Sequence, residues 1–280
     1  MTTTITTVLT HPVAPSPDDN PGAGFVVAAW TVAVRTVKKF VRSPQLIVAG
    51  TAQGALFLLI FRYVFGGAVS GTGGLSYVDF LVPGFVMTSV LFQGMGASAG
   101  IAEDVQGGLF DRLRSLPISL GSIISGRLAA DTSLMAWGLA VTTAIGFLVG
   151  FRLHGSALAG LAAFGLCVLY GFAFCWLFVA LGLMAGSPQA AQGLSFLVFP
   201  LTFVSSAYVP VATMPGWMQG FAAHQPITVM SNAVRILCQG PAAQAIIGQS
   251  LRTEVLASLA WSAGLVAVFA PLAILRLRRR

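Results

Sequence analysis

The stretch Glu103–Ser119 reads EDVQGGLFDRLRSLPIS, and it interrupts an otherwise apolar chain. Glu103, Asp104, Asp111, Arg112 and Arg114 charge it, Gly107 and Gly108 open its centre, and Pro117 closes it. At about 100° per residue, Leu109, Leu113 and Leu116 fall on one ridge, while Asp111 and Arg112 point elsewhere. That pattern predicts a short amphipathic helix over residues 106–116, lying on a membrane surface between two spans. Proline disfavours a helical residue before it and has no N–H to continue the ladder, so Pro117 is the expected stop. A charge run alone often marks only a solvated loop. The leucine ridge inside this one turns the reading towards a helix that docks on something.

The flanking sequence sets the class. Of 280 residues, 56 % are apolar and 8 % charged, whereas a soluble domain carries about 25 % charge. So little charge cannot clothe a core of this size, and an all-α integral membrane protein follows. The net charge of +7 comes from basic residues at the ends of apolar runs. There they act as topology signals and headgroup contacts, not as a nucleic-acid surface. Apolar runs predict six spans, at 45–65, 79–101, 120–150, 156–185, 190–208 and 253–275.

Before the first span, residues 25–42 place Arg35, Lys38, Lys39 and Arg42 in one arc opposite Phe25, Trp30, Val37, Phe40 and Val41. This is the pattern of an interfacial helix with a basic face on anionic lipid. Residues 209–249 are cut by Pro210, Pro215, Pro226 and Pro241 into pieces too short to cross, so external re-entrant helices are expected there. Residues 1–24 read as a disordered cytoplasmic tail, 25–275 as one membrane domain, and 276–280 as a basic cytoplasmic tail. Eleven Lys and Arg lie on the side of both termini and the docking stretch; four (Arg62, Arg152, Arg235, Arg252) lie opposite. The positive-inside rule therefore puts both termini in the cytoplasm.

Several chemistries are missing. The only lysines are Lys38 and Lys39, and no phosphate-cradling GxxxxGK[ST] loop exists. Cys167, Cys175 and Cys238 have no metal or redox spacing, and His11, His154 and His224 are scattered. No catalytic, cofactor-binding or metal-ligating set is expected. The eight acids lie in the tail or near span ends, which disfavours ion-coupled transport. Arg127 and Asp131, four residues apart, read as an ion pair, or as an arginine reaching the docking helix or a lipid phosphate. A pump built on this chain would borrow ATP and Mg from a partner.

Two motifs carry a resemblance to the permease subunit of type 2 ABC exporters, within them the daunorubicin-type drug-resistance permeases of actinobacteria. One is EDVQGGLFDRLRSLPIS with GRLAAD at Gly126–Asp131. The other is FPLTFVSSAYVPVATMPGWMQGFAAHQPIT at Phe199–Thr228, followed by AVRILCQG at Ala233–Gly240. The resemblance covers 25–275 and implies two such permeases, identical or related, with two nucleotide-binding ATPase subunits in the bacterial cell membrane. It implies that Glu103, Gly108, Leu109, Arg112, Leu113, Arg114, Leu116 and Pro117 dock the ATPase as a coupling helix. It likewise implies an external gate of Phe199, Pro200, Pro210, Met214, Pro215 and Trp217. The exported substrate would be a hydrophobic or amphipathic drug or lipid. The alternative is a membrane scaffold for a lipid or polyketide biosynthetic complex that transports nothing.

Overall fold

The structure, a computed structural model, describes residues 24–66, 74–114 and 119–278. The expectations for the N-terminal tail before Gly24, for Leu116 and Pro117, and for the last two arginines lie outside the described residues. So does the side chain of Arg114.

Every regular element among the described residues is helical. Helix α1 spans Phe25–Val41, and α2 spans Pro44–Ile60 and runs on as a π-helical turn over Phe61–Phe65. Then come α3 (Tyr77–Gln106), α4 (Leu109–Arg114), α5 (Leu120–Leu148) and α6 (Ala157–Met184). Short helices α7 (Pro188–Phe196), α8 (Pro200–Phe203), α9 (Gly216–His224), α10 (Pro226–Gln239) and α11 (Pro241–Ile247) lead to α12 (Leu251–Arg278). Among the described residues, four helices are long and apolar enough to cross a membrane: α3, α5, α6 and α12.

Helix α3 is the axis of the fold. Ser76 caps it by accepting the Asp79 N–H, and 30 residues at about 1.5 Å each give about 45 Å. That exceeds a hydrocarbon core of about 30 Å, so its end emerges into water. From Tyr77 to Leu91 every residue is buried, against α5, α6, α7 and α10. Gly84 permits a further close approach, by the segment after α8, because a Cβ there would collide with the Ala207 carbonyl. By contrast α12 leaves Leu256, Trp261, Val268 and Leu275 exposed, as a lipid-facing helix would.

Two of the prolines read as breaks in the sequence, Pro226 and Pro241, prove to be helix starts, as do three others. Pro44, Pro188, Pro200, Pro226 and Pro241 each sit in the first turn of a helix. The missing N–H costs nothing there, since first-turn donors have no intrahelical acceptor.

Three expectations change. The span over 190–208 is not one helix: α7 ends at Phe196, turns through Leu197–Phe199, restarts briefly as α8, and unwinds from Val204 to Pro210. Apolar side chains run through the break, so hydropathy could not reveal it. The docking helix is shorter than 106–116, because Gly108 adopts φ +66° and separates α3 from α4. On α1 the buried stripe is the small one, Ala28, Val32, Ala33 and Thr36, packed on α5, where Gly126 abuts the Ala29 carbonyl. Phe25, Trp30 and Val41 stay exposed.

Candidate functional site

The polar groups gather at the two ends of α3. At the end that carries α4, Asp104 is buried between α1 and α5. Its Oδ2 accepts Arg127 Nη1 at 2.6 Å, and its Oδ1 lies 3.7 Å from Arg35 Nη2. Arg127 Nε donates to Asp131 at 2.8 Å, and its Nη2 donates to the Ala97 carbonyl at 3.2 Å. The pairing with Asp131 one turn along α5 is therefore made, while the second reach of Arg127 goes to Asp104 and Ala97 of α3 and not to the predicted helix over 106–116. Beside them Lys39 and Glu103, both exposed, meet at 2.9 Å.

Two of the three basic residues of α1, Arg35 and Lys39, thus face carboxylates, while Lys38 and, just past the helix, Arg42 are exposed. Gln106 donates to the Gly186 carbonyl at 3.0 Å and so links the end of α3 to the α6–α7 turn.

Helix α4 follows this anchored end directly. Arg112 is exposed, and Leu109, Phe110 and Leu113 are partly buried, with Phe110 against the main core. Leu109 and Leu113 are thus each partly covered and partly accessible. The expected docking residues Glu103, Gly108, Leu109, Arg112 and Leu113 lie within one short stretch on the same end of the molecule.

At the opposite end, the residues expected to form a gate separate into two groups. Phe199 and Pro200 sit at the α7–α8 break. The Phe199 ring lies 4.9 Å from Phe92, 5.3 Å from Phe196 and 5.2 Å from Phe203. This aromatic row continues through Tyr208, 5.5 Å from Phe203 and stacked on Phe61 at 4.5 Å. Pro210, Met214, Pro215 and Trp217 lie on the outer loop and the start of α9. Pro210 is buried, and Trp217 is 84 % exposed.

The residue that organises this end is Arg235 of α10, which the charge count took for an external topology signal. It is 0 % exposed. Its Nε donates to the Phe80 carbonyl at 2.9 Å, its Nη2 to the Ser206 carbonyl at 2.7 Å, and its Nη1 to Asn232 Oδ1 at 3.1 Å. Its guanidinium stacks 3.8 Å from the Phe80 ring centroid. Asn232 in turn accepts from Ser206 Oγ at 2.7 Å and donates to Glu254 at 3.2 Å. Gln225 donates to the Leu201 and Val204 carbonyls at 2.9 and 2.6 Å.

Unwound backbone inside a membrane protein must find partners in protein, and Arg235 and Gln225 supply them for residues 201–207. The available signal was an arginine in a run without other charges, the kind of intramembrane cation that defaults to a specific role.

With the geometry in place, the comparisons with known proteins agree in one direction. The chain is 34 % identical over 251 residues to the daunorubicin resistance ABC transporter permease protein DrrB1 of Streptomyces coeruleorubidus, covering 89 % of this chain and 86 % of that one. It is 25 % identical over 256 residues to the probable doxorubicin resistance ABC transporter permease protein DrrC of Mycobacterium tuberculosis, covering 89 % and 88 %. It is 26 % identical over 222 residues to the inner membrane transport permease YadH of Escherichia coli, covering 75 % and 82 %. The family model described as ABC-2 type transporter matches residues 27–238, and the chain belongs to that family.

Proposed function

We propose that this chain is the membrane-spanning permease subunit of an ATP-driven exporter, with a separate nucleotide-binding subunit docking at residues 103–117. ATP and Mg then belong to that partner. The observation that carries the proposal is mechanical. Helix α4 hangs on a single positive-φ glycine from the end of α3, and that end is clamped by Asp104 and Arg127 to α5 and by Arg35 to α1. A push on α4 is delivered to α3, whose other end carries the Phe80 carbonyl held by Arg235. The exposed Arg112 and the half-exposed Leu109 and Leu113 give a partner charge and apolar surface together.

Six crossings are part of the proposal. Residues 44–65 are helical without interruption, enough for a core of about 30 Å at about 1.5 Å per residue. The broken α7–α8 segment packs along α3 and serves as the fifth crossing. Both termini and α4 then share the cytoplasmic side of a bacterial cell membrane. A second permease, identical or related, completes the path.

The aromatic row from α2, α3 and the α7–α8 break forms one wall of that path. Its lack of charge favours a hydrophobic or amphipathic substrate, because an unpaired charge would be costly to desolvate. Names of drug-resistance permeases among the relatives favour a drug or lipid cargo.

The test is purification of the tagged chain in a mild detergent, identification of co-purifying proteins, and an ATP hydrolysis assay. An ATPase that accompanies the wild-type chain and is lost with Arg112→Glu supports the proposal. A chain that purifies without any ATPase from its native membrane, in a detergent that keeps known transporter complexes whole, would sink it.

A further inference from the structure

A cleft of about 480 Å³ runs along α3, walled by α2 and by α5 and closed at one end by α1. That volume lies within the roughly 300–1,000 Å³ typical of small-ligand sites. Its floor extends from Phe85 to Glu103, which at about 1.5 Å per residue is about 27 Å. Its two ends differ in chemistry. The body is walled by Phe57 of α2 and by Trp137 and Ile145 of α5. The end beside α1 holds Lys39 and Glu103.

Two glycines keep the cleft open. Gly54 and Gly96 both line it, and a Cβ added to either would meet nothing within 4 Å. Glycine in a helix interior costs about 1 kcal/mol relative to alanine. In membrane helices that cost is usually repaid by close helix packing, as Gly84 and Gly126 illustrate here. Gly54 and Gly96 have no such neighbour; both open onto free space at the groove, into which a larger side chain would extend.

We infer that this groove binds one anionic glycerophospholipid, its phosphate at Lys39 and one acyl chain along α3. At the polar end Lys39 and Arg127 line the groove with Glu103 and Asp131, and α1 adds the exposed Arg35 and Lys38, with Arg42 just beyond it. The Lys39 side chain is half exposed, so it can turn from Glu103 to a phosphate without leaving a buried carboxylate behind. The body is mostly apolar, with Gln53, Ser89, Gln93 and Thr142 among its lining, and it matches a hydrocarbon chain in reach and in its lack of charge. Trp137, 60 % exposed, lies where the chain would leave the protein surface. The orientation proposed above selects the inner leaflet; the binding site itself does not depend on docking at α4. A lipid wedged between α2, α3 and α5 would tie the interfacial helix to the core of the permease.

The experiment is electron paramagnetic resonance on the permease with its co-purified ATPase, reconstituted in phosphatidylcholine vesicles. A trace of chain-labelled phosphatidylglycerol or phosphatidylcholine is added, and the motionally restricted fraction is measured. The expected result is about a fivefold preference for phosphatidylglycerol, from one lysine acting on the phosphate. Lys39→Gln should abolish most of it. Gly96→Leu and Gly54→Leu, which fill the groove from opposite walls, should each reduce the restricted phosphatidylglycerol fraction with ATPase attachment unchanged.

Equal restriction of the two lipids in the wild-type protein would overturn the assignment. So would a preference lost in Lys39→Gln but kept in both leucine variants, which would mean contact with the outer face of α1 alone. Displacement of the restricted phosphatidylglycerol by daunorubicin, independent of Lys39, would also overturn it and give the groove to a drug. ATPase attachment is read separately, so failure here leaves the docking proposal standing.

Discussion

The two ends of α3 both handle buried charge, and they do so by opposite means. At the α4 end, cations meet carboxylates: Arg127 with Asp104 and Asp131, Lys39 with Glu103. At the other end a single cation, Arg235, is satisfied mainly by backbone carbonyls of Phe80 and Ser206, helped by Asn232. Ion pairs between helices can be exchanged as helices slide. Carbonyls of an unwound segment cannot be supplied from elsewhere, because each needs its donor at one place. The difference assigns adaptability to the end that would receive the partner and rigidity to the end where the backbone is broken.

The contrast can be broken most severely at Arg235. Arg235→Met should leave the Ser206 carbonyl without its donor and strip the Phe80 carbonyl and Asn232 Oδ1 of one donor each. The expected loss is about 3–5 kcal/mol, as when one member of a buried charged network is removed. Thermal unfolding of the detergent-purified chain would report it. Arg235→Lys should rescue little, since an ammonium lacks the planar fork that reaches three acceptors. A stable Arg235→Met protein would mean that the knot is not what holds residues 201–207.

At the opposite end the effect should be smaller and divisible. Arg127→Ala leaves Asp104 and Asp131 buried with their shared cation gone, so it should cost more than Asp104→Asn, which leaves Arg127 its bond to Asp131. A double-mutant cycle on Asp104 and Arg127 should return a coupling of about 1–3 kcal/mol. Near-zero coupling would show the clamp between α3 and α5 to be incidental.

Much of the frame was legible in the sequence. The run predicted at 156–185 is α6 at Ala157–Met184, and that at 253–275 lies within α12. These helices announce themselves because apolar length and a flanking cap act on the same residues; Ser156, for example, caps α6. The broken crossing was not legible. Leu197, Val198 and Phe199 carry the same apolar signal through a turn as they would through a helix. Its support comes from Gln225 and Arg235, more than twenty residues away in sequence. Arg235 itself was misread because a charge count treats every arginine as wet. The proposed docking residues were chosen from the charge and leucine pattern and the family resemblance, and that pattern could not show that Asp104, not Glu103, is the buried carboxylate.

The gentlest changes test whether α4 is mechanically tied to its end of the molecule. Gly108 has φ +66°, where a side chain is strained, so Gly108→Ala should cost about 1 kcal/mol if the turn holds its shape. The chain has an easier response, which is to let α4 swing while the core stays intact. The expected signature is therefore a thermal midpoint close to wild type together with weakened ATPase attachment.

Lys39→Gln supplies the control on the same face. Its pair with Glu103 is exposed on both sides, and such pairs contribute about 0–1 kcal/mol and fade with salt. It should leave both stability and ATPase attachment near wild type. If Lys39→Gln detached the ATPase as strongly as Gly108→Ala, the basic face of α1 would belong to the docking surface. The division between a partner-receiving α4 and a lipid-facing α1 would then fail.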